Sequence, residues 1–371
     1  MPVDKYITFQ AQSKYNSKNY DLWQDVINIL FPILEQKGIK IVQTGQPQEH
    51  SYQYVIDLKG RTNLNQLAYV IQNSLLHLGP DSLGIHIASS FDIPIVGLYS
   101  CSPTAISGPY FGRSDMQVLF EGHKRTKNGK PSYATEEFPK SINTIKPEEV
   151  ANAIFKLLNI DYKVPFETVH IGDKYSHMII RELVPNFNLP VNNPQQPIEV
   201  RMDLDFNEDI LFKQLQLSKC AIVTNNPINI DKLKPFKLNI VAIIYEINDK
   251  DSPEFVAGIK ALGVPIVLIS YLTQEEIDKK KINYYEIGKI NKIEEPPAET
   301  IEKLKSNLSN LYFKSNKILA SDNQYYMTDT ARITKQPINN DFEYYQAQDI
   351  PEFWRNLQFI TCVQKTLDKT N

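Results

Sequence analysis

The feature that most constrains this chain is an alternation. Between Lys5 and about Ile160, short β-rich apolar runs (YITFQA, IKIVQTG, YVIDLKG, SLLHLG, IPIVGLYS, MQVLFEG) alternate with helix-period segments (YDLWQDVINILFPILEQKG, LNQLAYVIQN, DSLGIHIASSF, KPEEVANAIFKLLNI). Strands joined through helices predict a doubly wound, mostly parallel sheet. Gly38 is placed to stop the first long helix, and Lys146-Pro147-Glu148-Glu149 opens the last with proline and acidic residues suited to a helix N-terminus.

The segment DYKVPF, 161–166, reads as a linker, because the alternation restarts at TVHIGD. It continues through IEVRMD, a helix over DILFKQLQLS, CAIVTN, LNIVAIIYEI, a helix over PEFVAGIKALG, PIVLIS and NYYEIG. The fold class is therefore α/β with two Rossmann-like doubly wound domains, residues 1–161 and 162–371. A chain of 371 residues is long enough for two such cores. From about 294 the tail is irregular, with a helix over TIEKLKSNLSNLYF, a hairpin around ASDNQYYMTD and a closing amphipathic segment, IPEFWRNLQFITCVQ.

Composition excludes several partners. Forty Lys and Arg against 43 Asp and Glu leave a formal net charge of −3, so no global field draws the chain to nucleic acid or anionic membrane. Three distant cysteines without a CxxC pair form neither a disulfide framework nor a structural zinc site. No apolar run approaches the roughly 18 residues of a membrane span, and MPVDKYITFQ lacks the pattern of a signal peptide. A soluble, cytoplasmic chain is expected.

One stretch sets polar residues between two core strands: LGPDSLGIH, a strand end, a turn and a helix start. Ligands of open α/β sheets bind beyond the carboxyl ends of the strands, where a helix N-terminus offers free N–H groups to phosphate. Gly79-Pro80 makes the turn, Asp81 or Ser82 can cap the helix, and Gly84 lets a ligand approach the backbone. His86 lies one turn in, facing the same end. A capped core helix with a satisfied histidine explains the same letters.

The surrounding motifs add to this. Asp81-Ser82-Leu83-Gly84-Ile85-His86 precedes an apolar strand and Cys101-Ser102-Pro103-Thr104. Upstream stand Ser17-Lys18-Asn19-Tyr20 with Trp23, then Thr44-Gly45-Gln46-Pro47-Gln48-Glu49, then Asp57-Leu58-Lys59-Gly60-Arg61-Thr62-Asn63-Leu64. In this order, over about residues 5–160, they resemble the donor-binding half of the ADP-heptose:lipopolysaccharide heptosyltransferase family, whose fold is GT-B. Leu83 stands where that family has glycine. The family places its donor lobe second, whereas here the donor-like lobe comes first; either the acceptor lobe has moved to the C-terminus by circular permutation, or residues 162–371 are a different α/β domain.

The resemblance implies a nucleotide-diphosphate sugar as donor substrate, with no further cofactor and no metal. Lys18 becomes the cation that stabilises charge on the leaving diphosphate; Ser82, Gly84 and His86 contact the diphosphate or its sugar, and Asp81 orients the turn. Thr44 and Gly45 line the nucleotide side. The family's base is an aspartate in a G-D pair near a histidine and a later proline, which maps onto Gly172-Asp173, His177 and Pro185. Asp173 or His177 then deprotonates the acceptor in an inverting displacement; a plain helix N-cap at Asp173 fits the letters as well.

Other segments are weaker. Asp203-Leu204-Asp205 is a DxD in an acidic loop, a metal-holding pattern in another glycosyltransferase fold. The run from His123 to Lys130 is an anion site or a solvated loop, and Tyr325, Tyr326, Tyr344, Tyr345 and Trp354 stack on sugars or simply pack. Two functions follow. One is transfer of a sugar, a heptose in the family, to a glycan or lipid-linked acceptor; the other is a catalytically silent relative kept as a binding or structural module in a larger assembly.

Overall fold

Strands β1 (Tyr6–Gln10), β2 (Lys40–Thr44), β3 (Ile56–Asp57), β4 (His77–Pro80), β5 (Ile95–Tyr99) and β6 (Gln117–Glu121) form one sheet in the computed structural model of the chain. Their order is β3-β2-β1-β4-β5-β6, and every neighbouring pair is parallel. This is the strand order of a doubly wound nucleotide-binding sheet. The structure describes residues 4–187, 197–285, 288–339 and 344–366.

The connecting helices are α1 (Trp23–Gln36), α2 (Leu64–Gln72), α3 (Leu83–Ser90), α4 (Thr104–Ser107) and α5 (Pro147–Leu157). Helix α1 buries Trp23, Val26, Ile27, Leu30 and Leu34, a stripe at helical spacing that packs with Ile7, Phe9, Ile41 and Leu78 of the sheet. Each such side chain contributes roughly 1.5–3 kcal/mol on burial. Gly38 takes φ +69° and its N–H bonds the Glu35 carbonyl, ending α1 where the sequence placed the stop. Pro147 opens α5, and the Glu149 carboxylate accepts from the Lys146 N–H at 3.0 Å.

The chain divides into two compact units, and the first extends past residue 161. It runs through the expected linker to His177 and takes in Asn310–Tyr312 and, of the described residues, 360–366. The restart strand, β7 (Phe166–Ile171), pairs antiparallel with a C-terminal strand, Ile360–Lys365. The Tyr175 hydroxyl donates to the Asp25 carboxylate of α1 at 3.0 Å. These bonds hold TVHIGDKYSH in the first unit.

The second unit contains β8 (Ile180–Leu183), β9 (Ile198–Arg201), β10 (Cys220–Thr224), β11 (Ile240–Glu246), β12 (Ile266–Ser270) and β13 (Ile290–Lys292), ordered β13-β12-β11-β10-β9-β8 and all parallel. A hairpin, Lys317–Ser321 with Gln324–Tyr326, adds beside β8. This corrects the expectation of a second doubly wound domain. Strands that succeed one another in a single direction through right-handed crossovers send the helices between them, α6 (Glu208–Leu217), α7 (Ile230–Leu233), α8 (Pro253–Ala261) and α9 (Gln274–Tyr284), to one face. Burial agrees: Ile222, Tyr245 and Leu268 are buried, whereas Val223 and Ile244 are half-buried and Val267 is 42% exposed. Helix α9 occupies part of the expected NYYEIG element, of which Glu286 and Ile287 lie outside the described residues, and the last strand falls later, at β13.

Among the described residues no helix is long and apolar enough to cross a membrane.

Candidate functional site

The order of the first sheet reverses between β1 and β4, so a crevice opens at their carboxyl ends. Two segments meet there: the loop after β1, residues 11–22, and the turn from β4 into α3. The Ser13 hydroxyl donates to the Asp81 carbonyl at 3.1 Å, and Lys18 Nζ lies 2.6 Å from Asp81 Oδ2. The side chains of Lys18 and Asp81 are only 14% and 6% exposed. The loop is held on both sides of Lys18. Ser17 Oγ bonds the Ala134 carbonyl at 2.7 Å, Tyr20 OH the Ile145 carbonyl at 2.6 Å, and Trp23 Nε1 the Ala11 carbonyl at 2.9 Å.

Helix α3 begins at this crevice with its cap unused. Ser82 has extended backbone angles, yet its hydroxyl makes no capping bond; the Oγ is buried and without a partner. The Tyr99 hydroxyl at the end of β5 is likewise buried and unpartnered, and burial, with Asp81 and Glu121 adding to it, pushes this phenol well up. A helix start with free N–H groups beside an ammonium is an arrangement that takes an anion.

Gly84 packs α3 against the sheet. It is buried, and a Cβ there would come within 2.5 Å of His77 Nε2 and 2.7 Å of Gln10 Oε1, so the glycine lets α3 sit down on β1 and β4. His77 is fully buried, with Nδ1 3.0 Å from the Thr8 hydroxyl, and burial holds it neutral at about 3. His86 is exposed on α3, and Leu83, 53% exposed, occupies the first turn.

At the end of β2, Thr44 is buried and donates to the Phe9 carbonyl at 3.4 Å. Gly45, at φ +145°, leaves no room for a Cβ beside the Glu49 carboxyl, which accepts from the Gln46 N–H at 2.8 Å. Burial pushes Glu49 up against the pull of that bond and of Lys59. The Gly60 N–H bonds the Gly45 carbonyl at 2.9 Å, so the T-G-x-P-x-E and D-L-x-G segments form one packed corner.

Asp173 and His177 also belong to the first unit. Asp173 is exposed after β7 and lines a cavity of about 280 Å³ together with Lys140, Asn143, Lys146 and His170. His177 Nδ1 is 3.8 Å from Asp21 Oδ1, and its ring centre is 4.7 Å from that of His50. Burial pushes His177 down; Asp21 opposes this and Lys140 adds to it. His50 is held at about 4 by burial, His177 and Lys59. Lys140 bonds both Asp21 Oδ1, at 2.9 Å, and the Asn19 carbonyl, at 3.2 Å, so the loop that carries Lys18 also borders this cavity.

Several of the remaining candidates are engaged in other contacts. The Asp203 carboxylate is gripped by Arg201 through two bonds of 2.8 and 2.7 Å. In the basic run Lys124 pairs with Glu121 and Arg125 with Glu149. Tyr326, Tyr345 and Trp354 are buried, and Tyr325 packs on Phe187. The sequence reading missed Tyr99, Asp21 and His50, and only Tyr99, at a strand's carboxyl end, carried a positional signal.

Residues 2–133 match the family model of glycosyltransferase family 9 (heptosyltransferase). This match bears out the heptosyltransferase-family resemblance that the motifs carry, over residues 2–133. The lipopolysaccharide core heptosyltransferase OpsX of Haemophilus influenzae is 28% identical in an alignment of 141 residues that covers 34% of this chain and 41% of that protein. Among solved structures, a family 9 glycosyltransferase of Veillonella parvula aligns at 23% identity and TM-score 0.35, over 42% of this chain and 46% of its own. The ADP-heptose lps heptosyltransferase II of E. coli aligns at 17% identity and TM-score 0.33, over 43% and 48%. The chain thus spans less than half the length of these relatives, and the heptosyltransferase-like part lies within the first unit.

Proposed function

We propose that the crevice between β1 and β4 binds a nucleotide-diphosphate sugar, with ADP-heptose as the donor, and that the chain transfers the sugar to a glycan or lipid-linked acceptor. The observation that carries this reading is the placement of Lys18 beside the uncapped start of α3 at the sheet's switch point. Charge grows on the diphosphate as the glycosidic bond breaks, and an ammonium with a helix N-terminus stabilises that charge where it develops. Thr44 and Gly45 border the nucleotide side, with Ser82, Gly84 and His86 on the diphosphate side.

The acceptor hydroxyl loses its proton to Asp173 or His177 while its oxygen attacks the anomeric carbon and the diphosphate departs from the opposite face. His177, pushed below the usual imidazole range by burial, is the alternative acceptor for that proton. The exposed Leu83 on the first turn of α3 favours the second reading, a binding module without turnover.

The test is ADP release from ADP-heptose by the full chain, with binding followed in parallel by calorimetry. Transfer requires that Lys18→Ala weaken binding and that Asp173→Asn or His177→Gln lower turnover with binding kept. Binding without turnover in the wild type selects the module; absence of binding rejects the site.

A further inference from the structure

We infer that the Lys18–Asp81 pair is an exchange device that makes the crevice hold a sugar nucleotide and let go of the bare nucleotide diphosphate. The inference rests on the donor-site reading above and adds a mechanism of discrimination and product release.

Asp81 is fixed. Its N–H bonds the Leu98 carbonyl at 3.0 Å, its carbonyl accepts from Ser13 at 3.1 Å, and its side chain is 6% exposed. Lys18 is its one ion-pair partner among the described residues, at 2.6 Å, and reaches it on a flexible four-carbon stem, with Nζ 5.6 Å from the centre of the Tyr15 ring. A diphosphate arriving at the start of α3 competes with Asp81 for the same ammonium. If Lys18 turns to the phosphate, a buried carboxylate that cannot move to water is left unpaired, which is strongly unfavourable.

A sugar hydroxyl on the diphosphate cancels that cost by donating to the freed carboxylate, a charge-assisted bond. A nucleotide diphosphate alone brings no such donor. Once the sugar has been transferred, the product sits opposite a stranded Asp81, Lys18 returns to its carboxylate, and the diphosphate loses its cation. The two buried hydroxyls beside the pair, Ser82 Oγ and Tyr99 OH, have no partner in the paired state and gain one when a ligand enters.

Calorimetry on the full chain with ADP and with ADP-heptose tests this. Wild type is expected to bind ADP-heptose at least about tenfold more tightly than ADP, a difference of one to two hydrogen bonds. In Asp81→Asn, where no charge is stranded, ADP binds about tenfold more tightly than to wild type and the gap between the ligands closes. Circular dichroism establishes that the variant is folded; if it is not, the wild-type ratio decides alone. Equal wild-type affinity for the two ligands, or an Asp81→Asn that binds ADP no better, overturns the exchange while leaving the donor site standing. Failure of wild type and variant to bind either ligand overturns both.

Discussion

Lys18 Nζ and Asp81 Oδ2, 63 residues apart in the chain, meet at 2.6 Å over the point where the first sheet changes direction. The contact ties the loop after β1 to the turn before α3. It therefore bears on stability as well as on ligand binding. Removing the cation alone leaves a carboxylate at 6% exposure without a counter-charge. Lys18→Met is expected to lower unfolding free energy by about 3 kcal/mol, and the double variant Lys18→Met/Asp81→Leu to recover most of it. Urea titration followed by circular dichroism measures both, and a single variant as stable as wild type would show that the pair is not closed in solution.

Tyr99 makes the opposite prediction. Its hydroxyl is buried without a partner, so Tyr99→Phe removes a desolvated polar atom and keeps the ring. The ligand-free variant is expected to be more stable than wild type by about 1 kcal/mol. Thermal unfolding checks this, and a fall in Tm means the hydroxyl is already satisfied.

Gly84→Ala places a methyl within 2.5 Å of His77 Nε2, and His77 has nowhere to go because it is fully buried and held at Nδ1 by Thr8. Overpacking of this kind costs about 1–3 kcal/mol. The same denaturant titration reads it, and an unchanged midpoint would mean that α3 is free to lift off the sheet.

Much of the first unit was legible because buried parallel strands read as nearly continuous apolar runs and α1 and α5 carry apolar stripes with punctuated ends. The pairing of Lys18 with Asp81 was not, since nothing in the letters says that an ammonium and a carboxylate on two loops share one crevice. The contacts that carry the first unit past 161 were not legible, because β7 bonds a strand far along the chain, with His170 and Thr361 joined across 191 residues. Helix α9 escaped notice because QEEIDKKKINY is mostly charged and buries only Ile277 and Tyr284. Burial periodicity finds strands but not their spatial order, so the one-directional run from β8 to β13 could not be told from a doubly wound order.

Acid should weaken the two units in different windows. Burial holds His77 at about 3, and burial with His177 and Lys59 holds His50 at about 4, both below the ordinary 6.5. Their neutral forms favour the fold, so this stability is complete above about pH 6.5 and is lost as pH falls toward 4 and then 3. In the second unit burial works to raise Glu182, but Lys317 at 2.7 Å and Arg201 at 2.9 Å outweigh it and hold it at about 2. That contribution is complete above about pH 4.5 and is lost only as pH falls through 2. Hydrogen exchange at a series of pH values should show the first unit loosening before the second; simultaneous loosening, or the reverse order, contradicts the assignment.

The most direct test of the donor site is hydrogen–deuterium exchange of the full chain with and without ADP-heptose. The account predicts protection concentrated in residues 13–20 and 80–86, the loop that carries Lys18 and the start of α3, with the effect lost in Lys18→Ala. Absence of protection in both segments at saturating ligand, or protection that survives Lys18→Ala unchanged, would contradict it.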